Sequence, residues 1–142
     1  MTTDKPEEKK QRVTIILHSG SYDRVSNALS LATIGLSSGM EAYILLTYEA
    51  VGRFVKGHFE DTVGTEPDMY KKMHQGIEAG KLHSIEDKLA IARDMGLKLY
   101  VCNTALATMG VDIEDMVDEV DDVMGLMAFI QLAKDAAINW YI

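Results

Sequence analysis

One cysteine, Cys102, is all that this chain of 142 residues contains. No intramolecular disulfide can form, which agrees with a reducing cytoplasm. Positive charge is also in short supply: 14 Lys and Arg face 22 Asp and Glu, a net charge of −8. That balance disfavours nucleic acid and anionic membrane surfaces as partners, and fits small neutral ligands or basic protein patches. No apolar run approaches the ~20 residues of a membrane span. The charged stretch from Met1 to Arg12 lacks the apolar segment of a signal peptide. The phosphate-cradling motifs GxGxxG and GxxxxGKS/T are absent, as are internal repeats and low-complexity segments. What remains is an ordinary globular balance, 47% apolar and 25% charged, at the length of one domain with a single core.

Residues 1–11 have no apolar face and are expected to form a disordered tail, with the domain proper over 12–142. Val13-Thr14-Ile15-Ile16-Leu17 reads as a central strand. A helix follows over about 22–38, with Val25, Ala28, Leu29, Ala32 and Leu36 on one face and Gly39 as its stop. Residues 41–47 form the next strand, which completes a βαβ unit. The segment 48–96 is longer than a crossover needs. It reads as a short helix to Val55, a loop over 56–64, a helix opened by Pro67, and a helix capped by Ser84 with Ile85, Leu89, Ala92 and Met95 as its buried stripe. Leu97–Val101 is a third strand and 103–110 a short helix. Val120–Met124 and Ala137–Ile142 read as the fourth and fifth strands, with a helix between them carrying Leu126, Ala128, Phe129, Leu132 and Ala133. This order predicts an open α/β sandwich on about five mostly parallel strands.

In such a sheet, ligands bind outside the carboxyl ends of the strands. That edge gathers His18-Ser19-Gly20-Ser21, Thr47-Tyr48-Glu49, Cys102-Asn103-Thr104 and Met124-Gly125. Cys102 stands where a strand runs into a helix, a place where backbone N–H groups and the helix dipole favour a thiolate. Two readings of it stand side by side, a reactive thiol and a small buried hydrophobe. His18 is a candidate proton acceptor or a histidine that satisfies its own loop. Asn103 and Thr104 offer donors beside the sulfur, and Ser19 and Gly20 offer backbone N–H groups to an anion. The remaining histidines, His58, His74 and His83, match no zinc spacing, so no metal or other cofactor is expected. The long segment 56–83 reads as a lid or subunit contact. Seven carboxylates in 112–122 read as the solvated side of an amphipathic element whose other side is Ile113, Met116, Val117 and Val120, or as a docking patch for a basic partner. Most of the nine methionines fall at positions expected to face the core.

The opening Val13–Gly20, the motif Val101-Cys102-Asn103-Thr104 running to Met109-Gly110, and the closing Met124-Gly125 to Trp140-Tyr141-Ile142 resemble the DsrE/DsrF-like sulfur-relay family over roughly residues 12–142. The resemblance implies a three-layer α/β/α sandwich with a five-stranded sheet, assembled as a homotrimer or hexamer. It also implies a cytoplasmic sulfurtransferase or sulfur carrier in which Cys102 holds a persulfide taken from a small sulfur donor and passes it to a TusA-like protein. Some relatives carry a second cysteine and this chain has none, so the acceptor thiol must belong to another molecule. The competing readings are a non-enzymatic oligomeric binding or regulatory module with a structural cysteine, a peroxidatic thiol that needs an external resolving thiol, and a flavodoxin-type nucleotide binder.

Overall fold

A computed structural model of the chain describes residues 9–142. Most of the expected tail, residues 1–8, lies outside the described residues, and Lys9 to Gln11 form an exposed lead into the first strand. The strands are β1 (Arg12–Leu17), β2 (Glu41–Leu46), β3 (Lys98–Cys102), β4 (Asp122–Met124) and β5 (Ile138–Tyr141). They lie in the order β4-β3-β2-β1-β5, and every neighbouring pair is parallel.

Side-chain alternation splits the sheet into two faces. Val13, Ile15 and Leu17, their register partners Ala42, Ile44 and Leu46, and then Leu99 and Val101 share one face, and all are buried. That face is covered by α1 (Tyr22–Ser37), and α4 (Ile85–Asp94) packs against α1. Gly35 of α1 is needed there, because a Cβ at this position would stand 2.8 Å from the Val13 side chain. The opposite face carries Thr14, Ile16, Tyr43, Leu45, Tyr100, Cys102 and Met124. On this side α6 (Leu126–Ala133) makes the return crossing from β4 to β5 and packs over β1. A Thr14–Asn139 hydrogen bond, with the Asn139 amide donating to the Ala133 carbonyl, ties the end of α6 to that face. The three layers are therefore unequal, with the second helical layer thin.

Two sequence expectations, the buried place of Met95 and the core-facing methionines, fail for the same reason. Met95 is exposed at the end of α4, and Leu126 and Ala128 are exposed on α6, where Phe129 alone is fully buried. Of the methionines expected in the core, only Met116 is fully buried, while Met69, Met95, Met109 and Met127 are exposed. Periodicity marks an apolar stripe, but it cannot say whether the chain itself supplies the covering layer. The fourth strand is also shorter than expected, because Asp121 turns its carboxylate onto the Leu99 N–H at 2.7 Å and so closes the end of the ladder with a side chain.

Candidate functional site at the carboxyl edge of the sheet

Cys102 is the last residue of β3 and stands immediately before α5 (Asn103–Met109), with extended dihedrals, φ −70° and ψ 126°. Its register partner is Met124, and the next residue, Gly125, stands before α6. Two helix N-termini therefore start side by side on β3 and β4. Among the described residues, no side-chain hydrogen bond caps either of them. The leading N–H groups of a helix have no partner within it, so this corner presents an electropositive main-chain surface suited to an anion. Asn103 reaches across it: its Oδ1 lies 4.0 Å from where a Gly125 Cβ would stand. Asn103 and Thr104 are both exposed on the first turn of α5. Cys102 itself is only 2% exposed in the single chain and belongs to the core cluster.

The other expected site residues fall into separate groups. His18 is separated from Cys102 by β2, two strand spacings or about 10 Å. Its ring sits against Tyr48 at 5.3 Å and Tyr141 at 5.8 Å, centroid to centroid. Tyr48 is the only non-glycine residue with positive φ among the described residues, at 41°, a backbone strain of about 1–3 kcal/mol. Ser19 closes a tight turn, its hydroxyl accepting from the Ser21 N–H at 3.1 Å. Gly20 is dictated by packing, since a Cβ there would lie 2.5 Å from the Glu49 carbonyl oxygen. The edge thus unites Cys102, Asn103, Thr104 and Gly125, and leaves His18 with two tyrosines and Ser19 and Gly20 in loop geometry.

The residue that sequence reasoning missed is Arg53, at the end of α2 (Glu49–Arg53). Only 4% of it is exposed, yet among the described residues no carboxylate pairs with it. Its guanidinium donates to the carbonyls of Gly20 at 2.9 Å, Phe59 at 3.0 Å, Asp61 at 2.6 Å and Val63 at 3.2 Å, and stands 5.6 Å over the Tyr22 ring. Burial lowers its pKa, and Asp61 and Glu60 oppose that. The available signal was an arginine inside the apolar run Ala50-Val51-Gly52-Arg53-Phe54-Val55, directly before a loop without periodicity.

That loop is fastened to its own chain rather than left open. His58 Nδ1 meets Asp61 at 2.6 Å. His74, on α3 (Pro67–Glu78), meets Glu60 at 2.6 Å and stacks on Tyr70 at 3.9 Å. The Tyr22 hydroxyl accepts from the Ile85 N–H and lies 3.3 Å from Glu60, and burial first, then the Glu60 charge, pushes its pKa up to about 12. His83 is exposed. Among the described residues, no three His, Cys, Asp or Glu side chains are grouped to hold a metal ion.

The acidic run is not one amphipathic element. Asp112 and Asp115 cap a 3-10 turn at Ile113–Asp115, Asp121 takes Arg93 through both oxygens at 2.6 and 2.7 Å, and Asp118 stands 3.8 Å from Lys56. Met116 and Val117 are buried as expected, but Ile113 is exposed. No helix among the described residues is long and apolar enough to cross a membrane.

A sequence model of the DsrE/DsrF-like family matches residues 11–139. The chain belongs to this family. It is 22% identical over 162 aligned positions to the uncharacterized protein YrkE of Bacillus subtilis (strain 168), covering 95% of this chain and 99% of the relative. Its fold is similar to that of YchN from E. coli, with a TM-score of 0.67 and 18% identity over 93% of this chain and 99% of that one. MTH1491 from Methanobacterium thermoautotrophicum, a protein of unknown function, gives a TM-score of 0.58 and 15% identity, covering 94% and 98%. The DsrE-like family is associated with sulfur relay.

Proposed function

We propose that this protein is a cytoplasmic sulfur carrier that holds a persulfide on Cys102 and yields it to the thiol of a TusA-like protein. The observation that carries the reading is the position of Cys102 between two uncapped helix N-termini, an anion-binding corner that suits both a thiolate and a persulfide anion. The Cys102 thiolate attacks the outer sulfur of a donor persulfide R–S–SH. The new S–S bond gives Cys102–S–SH, and R–S⁻ leaves with the electron pair of the broken bond. The acceptor thiolate repeats the same displacement on the outer sulfur and restores the Cys102 thiolate. Asn103 and Thr104 serve as hydrogen-bond donors to the bound sulfur, and His18, Ser19 and Gly20 border the edge that the partner approaches. The carrier assembles as a homotrimer or hexamer through the exposed apolar surface of α6 and β5.

A second reading rests on the 2% exposure of Cys102: an oligomeric binding or regulatory module in which the sulfur only fills space. Incubation with glutathione persulfide, followed by intact-mass measurement, separates the two. The carrier gains one sulfur atom at Cys102, a gain lost in Cys102→Ser and reversed by a thiol acceptor. An unchanged mass, with the denatured protein alkylated normally, overturns the carrier.

A further inference from the structure

A second cleft opens at the far end of α5 from Cys102, about 10 Å along that helix. Its volume is about 540 Å³, within the size range of small-molecule sites. It is walled by the β1–α1 loop, α2, the Arg53-fastened loop and the exit of α5. Val55, Val63, Met109 and Val111 make the lining largely apolar. Gly52 leaves it open, because nothing lies within 4 Å of where its Cβ would be. Arg53 reaches the cleft, but its guanidinium is engaged with wall carbonyls, so it has little left to offer an anionic ligand. The two carboxylates on the lining differ. Asp61 is held by His58, whereas Glu49 makes no hydrogen bond or ion pair to any described residue.

We propose that this cleft is a binding site for a small organic cation with an apolar body, an alkyl- or arylammonium ion, whose ammonium group pairs with Glu49 while its body lies against Val63 and Met109. The apolar walls supply the burial. A carboxylate that no described residue holds, with no free cation among the described residues of the lining, selects the sign of charge. The site is independent of Cys102, so its occupancy does not depend on sulfur transfer.

Titration calorimetry and saturation-transfer NMR at low salt test it, with phenylbutylammonium as the probe and phenylbutyrate and phenylbutanol as matched anion and neutral. The ammonium binds, with the anion and the alcohol each at least tenfold weaker. Glu49→Gln weakens the ammonium about tenfold, the loss of one charge-assisted hydrogen bond. Gly52→Leu fills the cleft and abolishes binding, yet melts no lower than the parent, since leucine is the better helix former. Cys102→Ser binds as the parent does. Failure of the ammonium to bind at millimolar concentration, equal binding of all three probes, or unchanged binding by Gly52→Leu overturns the proposal.

Discussion

Replacing Arg53 by methionine keeps much of the apolar stem but removes the fork that holds the 57–65 loop. Five backbone carbonyls on two loops, that of His58 at 3.5 Å included, lose their shared donor. Hydrogen bonds from a charged donor contribute about 1.5–3 kcal/mol each when their partners stay dry. The loop can swing into water and recover most of them, and the cost of burying a guanidinium disappears. These opposing effects leave a net loss of about 3 kcal/mol, or a fall of roughly 10 °C in Tm for a chain of this size. Because the damage is local, cleavage after Glu60 by a glutamate-specific protease should accelerate more than tenfold under conditions where circular dichroism remains native. Arg53→Lys should recover less than half of the loss, since a compact ammonium cannot span carbonyls that a planar fork reaches from three nitrogens. If Arg53→Met unfolds in urea within about 0.5 kcal/mol of the parent, and Glu60 is cut no faster, the loop is held by something other than this residue and the reasoning fails.

Tyr22 makes the fold sensitive to alkali. Its folded pKa of about 12 lies above the ordinary 10.0, so its stabilising contribution is complete below pH 10 and is lost as pH rises toward 12, by about 2 kcal/mol. Urea midpoints of the parent and Tyr22→Phe, followed across that window, should converge, and parallel curves refute the assignment. The face formed by Leu126, Met127 at 80% exposure, Ile130 at 56% and Tyr141 at 70% is expected to join copies of the chain. Sedimentation of the parent should show a trimer or hexamer and Met127→Lys/Ile130→Lys a monomer, whereas a monomeric parent removes the interface.

The order of elements was legible because the buried parallel strands are written as apolar runs and the helices end at glycines such as Gly39, Gly96 and Gly110, all at positive φ. The location of Cys102 at a strand–helix junction followed directly from that order. Its burial did not, since exposure depends on β4, which pairs with it from far along the chain, and on what packs over that face, both tertiary facts. His18 reads from sequence either as a partner of Cys102 or as a histidine that satisfies its own loop, because both residues end strands at one edge. The edge, however, has a width, and β2 stands between them. Arg53 was invisible for a different reason. Its partners are main-chain carbonyls, which every residue carries, so no side-chain motif marks them. The acidic run reads as one surface because charge density looks alike whether a carboxylate is solvated, caps a turn, or, as Asp121 does, ends a strand.

The burial of Cys102 does not by itself decide between carrier and structural residue, because the cost of uncovering it differs between the two. Cys102 lies on the same sheet face as α6, whose N-terminus starts beside its register partner Met124, and within one chain α6 commits only Phe129 fully to the core while Leu126, Met127 and Ile130 remain exposed. In a dissociated chain, where no second copy covers that face, lifting the first turns of α6 exposes about one aromatic side chain, at about 2–3 kcal/mol. The sulfur would then be reachable in roughly one molecule in 30 to 150. Global unfolding, the other route to the sulfur, costs about 5–15 kcal/mol and protects it by a factor of thousands at the least. Alkylation of the monomeric Met127→Lys/Ile130→Lys chain, measured against the same chain in denaturant, therefore reads the mechanism directly. Protection near a hundredfold means a helix that opens on its own and a thiol available to a partner. Protection beyond ten-thousandfold would mean a core residue, and sulfur transfer would then need a partner able to unfold its carrier.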